Sequence, residues 1–192
     1  MCVLFLKYFD INCKISENQD LLLRVITGEL LVSCDLVESG EYISAPEEVI
    51  EASSIPGGYK LTGQVLGISC ADLIDGYIVC ADLKKSLALF YVERDCDGLT
   101  LSLTECADGT NSGTITLTDV QLDETSLLAA GDLVQEAMNY ARDQARVITS
   151  AYLVGLAENA FDITIDYLKV RKQFGSTIGS FQALQHRAVD SL

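Results

Sequence analysis

The sequence predicts an α+β chain: an antiparallel, β-barrel-like domain followed by long helices of an incomplete helical-bundle domain. Three observations predict it. Between residues 30 and 122, apolar and β-branched residues come in short, often alternating runs separated by turn signals. From about Asp132 the apolar period lengthens from two residues to 3.6. No proline breaks that second region.

Residues 1–29 read as a remnant of a helical domain. Met1 to Phe9 is a short apolar run interrupted by Lys7 and followed by Asp10, without a small-residue cleavage site, which fits a buried helix rather than a signal peptide. Asn18-Gln19-Asp20 caps a short helix through Leu21, Leu22, Val25 and Ile26 that stops at Gly28. Residues 30–130 form the β-domain. Strands are expected at Leu30–Val37, Glu48–Ser53, Tyr59–Ile68, Tyr77–Leu83, Leu87–Glu93, Leu99–Thr104 and Thr114–Val120. Pro56-Gly57-Gly58, Asp75-Gly76, Asp97-Gly98 and Asp108-Gly109 mark turns between them. Strands so spaced, without intervening helices, indicate an antiparallel barrel or sandwich.

Residues 131–192 begin a helical domain. Val134, Met138, Ala141, Ala145, Ile148, Tyr152, Leu156, Ala160, Ile163, Tyr167, Val170 and Phe174 recur at steps of four and three, one stripe on a helix from about 132 to 173. At the standard rise it is about 60 Å long, wider than a small domain, so other helices must lie along it. Gly175 is its natural C-cap. A second helix opens at Ser180, and its apolar Phe181, Leu184, Ala188 and Val189 have no later helix in this chain to pack on.

The 192 residues can bury one good core, or a domain and a half. With 49% apolar residues the chain is globular. A formal charge of -15 argues against nucleic acid or an anionic membrane as partner. An anionic ligand would need local positive groups, of which Arg171-Lys172 is the foremost cluster. No stretch is apolar for long enough to span a bilayer. Seven cysteines, an odd number without a C-x-x-C pair, read as small core residues of a reducing, cytoplasmic compartment. The one histidine, His186, leaves no metal site evident. A Ser-His-Asp triad would have to use it, and it reads more simply as a polar helix residue. No glycine-rich phosphate loop is present.

The most informative string is Arg171-Lys172-Gln173-Phe174-Gly175, followed by Ile178-Gly179-Ser180-Phe181-Gln182-Ala183-Leu184-Gln185-His186-Arg187. It places a guanidinium, amides and aromatic rings at one helix end, a set able to grip a pyrophosphate and face a base. The string resembles the flavin-binding signature of acyl-CoA dehydrogenases. Weaker matches precede it in family order: Gly28-Glu29-Leu30, Gly58-Tyr59-Lys60-Leu61-Thr62-Gly63, Asp108-Gly109-Thr110, and Asp119-Val120-Gln121-Leu122 with Leu127-Leu128. The likeness runs from about residue 18 to the end, and its wording is closest to the small-subunit type, which forms mixed oligomers.

The resemblance implies FAD as cofactor, an acyl-CoA thioester as substrate if the chain is active, and a homo- or hetero-oligomer, dimer or tetramer, with subunits of this family. It implies that Arg171 reaches the FAD pyrophosphate of a neighbouring subunit, with Gln173 and Phe174 near the adenosine half and Phe181 and Gln182 beside them. Ser69 is the remaining candidate flavin donor. Other readings stay open: Arg171 and Lys172 complementing the helix dipole, Phe174 as the last core residue of the stripe, and Gln182 as a solvated helix residue.

Departures from the family pattern are equally specific. Leu36-Val37-Glu38-Ser39-Gly40-Glu41 keeps the glutamate of the flavin and substrate strand but lacks its threonine, proline and Ser-Asp. Where the next strand usually carries tryptophan, this chain has Gly67, with Ser69 two residues on. In a minority of members the catalytic glutamate lies on the long helix before an arginine matching Arg146; here that position is Ala145. In the others the base lies beyond residue 192. No catalytic residue is therefore assigned to this chain. The sequence supports either a dehydrogenase segment or subunit, inactive alone, or a non-catalytic structural subunit or degenerate paralogue in an oligomer of the same kind.

Overall fold

The computed structural model describes residues 19–34 and 50–191. The expected helix at Met1–Phe9 and the altered strand at 36–41 lie outside the described residues. Helix α1 (Gln19–Thr27) has Asp20 in its first turn and Arg24 in its last, matching the helix dipole at both ends. Gly28 follows at φ 75°, and the amides of Glu29 and Leu30 return to the Arg24 carbonyl at 2.9 and 3.1 Å.

Eight strands follow: β1 (Val32–Cys34), β2 (Ile50–Ile55), β3 (Gly58–Ser69), β4 (Gly76–Leu83), β5 (Ser86–Glu93), β6 (Leu99–Glu105), β7 (Asn111–Asp123) and β8 (Leu127–Ala130). They form one sheet in the order β6-β7-β3-β2-β4-β5-β8, with β1 also on β4. Most pairings are antiparallel, as the hairpin turns require. The sheet is mixed, however, and open: β4 pairs in parallel with both β1 and β2, and β6 and β8 end the path without meeting.

The central strand explains the packing. Tyr77, Val79 and Ala81 of β4 enter one apolar cluster with Ile50, Leu61, Val65, Phe90, Ile115 and Val120. Ile78 and Cys80 enter a second with Leu22, Leu89, Leu128 and the root of the long helix. A strand buried on both faces reads as a continuous apolar run, which is what Tyr77–Ala81 shows. Tyr59 meets Phe90 edge to face at 5.1 Å, and fully burying a side chain such as Phe90 contributes about 1.5–3 kcal/mol. Of the cysteines expected in the core, Cys80 is buried, whereas Cys34, Cys70, Cys96 and Cys106 are half-buried; all five are free thiols.

Two irregularities shape the β3–β7 ladder. Val65 faces Ile115 and Ile68 faces Gly113, so Leu66 and Gly67 together oppose one residue, and Gly67 supplies the left-handed backbone of this bulge at φ 73°. Nearer the other end Asp119 takes φ 52°. Its carboxylate accepts from Thr62 Oγ1 at 3.2 Å and from Lys60 Nζ at 3.0 Å, and the hydrogen bond from Lys60 foremost holds its pKa down.

Helix α2 (Asp132–Val170) is unbroken, and its buried residues are Val134, Ala137, Met138 and Ala141. Compact packing divides the chain within this helix, into one unit through Gln144 and another from Ala145. In the second unit a two-strand hairpin, β9 (Lys172–Gln173) and β10 (Ser176–Thr177), leads through a 3-10 turn at Ile178–Ser180 to α3 (Gln182–Asp190). From Ala145 onward no described residue is buried. No helix among the described residues is long and apolar enough to cross a membrane.

Candidate functional site

The sequence expectation for the corner needs three corrections. The long helix stops at Val170, not 173, because Lys172 and Gln173 pair with Thr177 and Ser176 instead of continuing the spiral. Gly175 is therefore not a helix cap. With Phe174 it forms the two-residue hairpin turn, at φ 52° for Phe174 and 83° for Gly175, the double left-handed pattern of a tight hairpin. The following helix opens at Gln182 with Phe181 at its N-cap, while Ser180 belongs to the 3-10 turn.

Five of the six sequence candidates share this corner. Arg171 is the first residue past α2; its amide still bonds to the Tyr167 carbonyl at 2.9 Å, and its own carbonyl accepts from Ile178 N at 2.8 Å. Its exposed guanidinium makes no ion pair among the described residues. Gln173 is exposed on β9. Phe174 is 92% exposed, which rules out the reading of it as a core residue. Phe181, 37% exposed, meets it edge to face with centroids 6.2 Å apart. Gln182 is exposed at the start of α3.

Several side-chain hydrogen bonds brace the exit of the hairpin. Ser180 Oγ donates to the Thr177 carbonyl at 2.6 Å and lies 3.2 Å from Ser176 Oγ. Gln185 Nε2 donates to the Gly179 carbonyl at 2.9 Å. The string in the sequence carries no sign of this role for Gln185, since a side-chain bond six residues back along the chain has no periodic signature.

Ser69, the sixth candidate, lies in the other unit. It is exposed at the end of β3, paired with Ser112 just past the bulge at Gly67. The adjacent 3-10 turn, Ala71–Leu73, is anchored by Arg94 Nη1 donating to the Asp72 carbonyl at 2.6 Å and by Asn111 Nδ2 donating to the Asp72 carboxylate at 3.1 Å. At Gly67, where tryptophan was expected from the family pattern, a Cβ would meet nothing within 4 Å.

The corner can do one thing chemically. A guanidinium without an ion pair among the described residues stands at the foot of a hairpin, and an almost bare aromatic ring at its turn, in a chain of charge -15. Such a set suits a ligand bearing both phosphates and a flat base. The donor set thus fits the pyrophosphate and adenosine half of a dinucleotide such as FAD. On the sheet, Ser69 alone offers a donor, without an aromatic wall at Gly67.

Residues 130–192 match the family model of the acyl-CoA dehydrogenase C-terminal domain. The mitochondrial short/branched chain specific acyl-CoA dehydrogenase of Rattus norvegicus is 31% identical over 182 residues, covering 89% of this chain and 41% of the relative. This chain belongs to the acyl-CoA dehydrogenase family. Among solved structures, a glutaryl-CoA dehydrogenase of Mycobacterium smegmatis in complex with FADH2 superposes with a TM-score of 0.81 at 20% identity, over 96% of this chain and 48% of that one. The ChsE4-ChsE5 complex of Mycobacterium tuberculosis gives a TM-score of 0.74 at 22% identity, over 88% of this chain and 44% of the matched one. The chain therefore spans less than half the length of these relatives, and in the family frame it carries an α+β fold with a large open sheet followed by a long helix.

Proposed function

We propose that this chain is a segment or subunit of an FAD-dependent acyl-CoA dehydrogenase, which converts acyl-CoA thioesters to trans-2-enoyl-CoA. The observation that carries the reading is an Arg171 guanidinium without an ion pair among the described residues, at the foot of a short hairpin whose turn carries the exposed Phe174 ring. Bound FAD supplies the hydride acceptor for the β-carbon, while a carboxylate takes the α-proton. The residues of this chain serve binding. Arg171 grips the pyrophosphate, Gln173 and Phe174 border the adenosine half, and Phe181 and Gln182 back them. Ser69 is the candidate donor toward the flavin. The methyl of Ala145 accepts no proton, so the long helix supplies no base at that position, and the chain alone should not turn over acyl-CoA.

In this reading, residues 1–29 belong to an N-terminal helical domain, 30–130 to the middle β-domain and 131–192 to the start of the C-terminal helical domain. The partners are subunits of the same family in a homo- or hetero-oligomer. The match to one chain of the ChsE4-ChsE5 complex supports such pairing. Five free thiols fit a reducing compartment, the cytoplasm.

Flavin titration of the Arg171→Ala variant, beside thermal melting, tests the role of the corner in the oligomer that binds FAD. FAD affinity should fall at least about tenfold, the loss of one charge-assisted hydrogen bond, with little change in melting. Unchanged affinity with the oligomer intact would exclude the flavin role. A second reading, a non-catalytic structural subunit, is favoured by the empty position at Gly67 and by Ala145. It predicts a colourless protein, alone and with a partner chain.

A further inference from the structure

A two-residue hairpin is too short to aim itself, since its two paired positions give little independent stability. Its direction is set where the chain leaves it. Gly179 lies directly against the last turns of α2: a Cβ there would stand 2.8 Å from the Leu168 carbonyl oxygen. The Gly179 carbonyl in turn accepts the Gln185 side-chain amide at 2.9 Å. One residue earlier, Ile178 N reaches back to the Arg171 carbonyl at 2.8 Å. The exit of the hairpin is thus closed onto both its entrance and the helix, beside an open groove of about 410 Å³ lined by Ile165, Leu168, Gly179 and Gln185 among others.

We propose that Gly179 and Gln185 are positioning residues of the cofactor grip: together they fix the direction in which the hairpin presents Arg171 and Phe174. The inference rests on the reading that this corner binds FAD. Neither residue needs to touch the cofactor. Gly179 permits an approach that any side chain would obstruct, and Gln185 holds the carbonyl of that glycine in place. A grip aligned before binding loses less freedom on binding.

The test is flavin titration of the full chain in its assembly, with FAD and FMN as probes, beside thermal melting. FMN lacks the adenosine half that this corner is assigned. Gln185→Met keeps the length of the side chain without the donor; Gly179→Ala adds the obstructing methyl. Gln185→Met should bind FAD up to about tenfold more weakly, as expected for one lost hydrogen bond, and Gly179→Ala should weaken FAD through the displaced hairpin exit, with FMN affinity, melting temperature and oligomer size unchanged. FAD affinity unchanged in Gln185→Met overturns the proposal. So does a parallel fall in FAD affinity, FMN affinity and melting temperature, which would make the bond one of packing only. Should Gly179→Ala fail to assemble, Gln185→Met decides alone. Arg171→Ala, run alongside, separates the two levels. If it weakens FAD while Gln185→Met does not, only the positioning role fails; if it changes nothing, or the wild-type assembly binds no FAD, both readings fall.

Discussion

Asp123 shows how single side chains end the strands of this sheet. Its carboxylate accepts from Thr125 Oγ1 at 2.7 Å and from the amide and hydroxyl of Ser126 at 3.0 Å, closing the turn between β7 and β8. The hydrogen bonds from Thr125 and Ser126 hold its pKa below the ordinary aspartate value, and one from Thr110 does the same for Asp108. A carboxyl depressed by folding stabilises above its unfolded pKa, about 3.9, and that stabilisation is lost as the pH falls through the folded value. Melting temperature should therefore drop on acidification below about pH 4, and less steeply in Asp123→Asn; identical slopes would refute the assignment. At this scale the sequence was partly legible. The Asp97-Gly98 and Asp108-Gly109 turns were visible by residue type, because those residues favour turns locally, whereas Gly76 instead opens β4. The Lys84-Lys85 turn was not: both take left-handed φ values, 55° and 67°, that lysine rarely adopts, and the β4–β5 ladder with the Asp82 carboxylate on Lys85 N at 2.6 Å imposes them.

The long helix shows the same division between pattern and context. Its start and continuity followed from periodicity and the lack of proline. Its end did not, because Phe174 continues the stripe of Val170 by spacing alone, and only the pairing of 172–173 with 176–177 takes those residues out of the helix. Strand β8 was missed for a related reason: Leu127-Leu128-Ala129-Ala130 has no alternation, and its identity comes from pairing with Ala88, Leu89 and Phe90. The buried root of α2 predicts where substitution is costly. Met138, in contact with Cys80 Sγ at 3.9 Å, should lose about 2–5 kcal/mol on Met138→Ala. Leu156→Ala, on the exposed stretch, should cost little in the chain alone. Urea unfolding of both variants checks the contrast, and equal losses would contradict it.

For the molecule as a whole, the exposed apolar surface follows from the sequence stripe itself. Ile148, Tyr152, Ile163 and Val170 are all more than half exposed, whereas apolar stripes of this kind normally face other helices. The chain should therefore assemble, with itself or with a family partner. Light scattering should give a mass above that of one 20.8 kDa chain, and Ile148→Lys with Ile163→Lys should lower it. A monomer in both forms would contradict the partner reading. Barrel closure was the part of the architecture that alternation could not decide, since β4, buried on both faces, admits two parallel neighbours on one side, and those pairings depend on contacts far apart in the chain.

The left-handed Phe174 has a consequence for mutational history. Glycine, asparagine or aspartate would relax that turn at the cost of the edge contact with Phe181, so a chain with no ligand to meet there would drift toward them under stability selection alone. A library randomised at 174 makes the two pressures separable. Sorted for abundance, it should enrich glycine and asparagine; sorted for retained flavin fluorescence or colour, it should enrich phenylalanine. The same codon would thus record whether the chain has lately been kept for its cofactor or only for its shape.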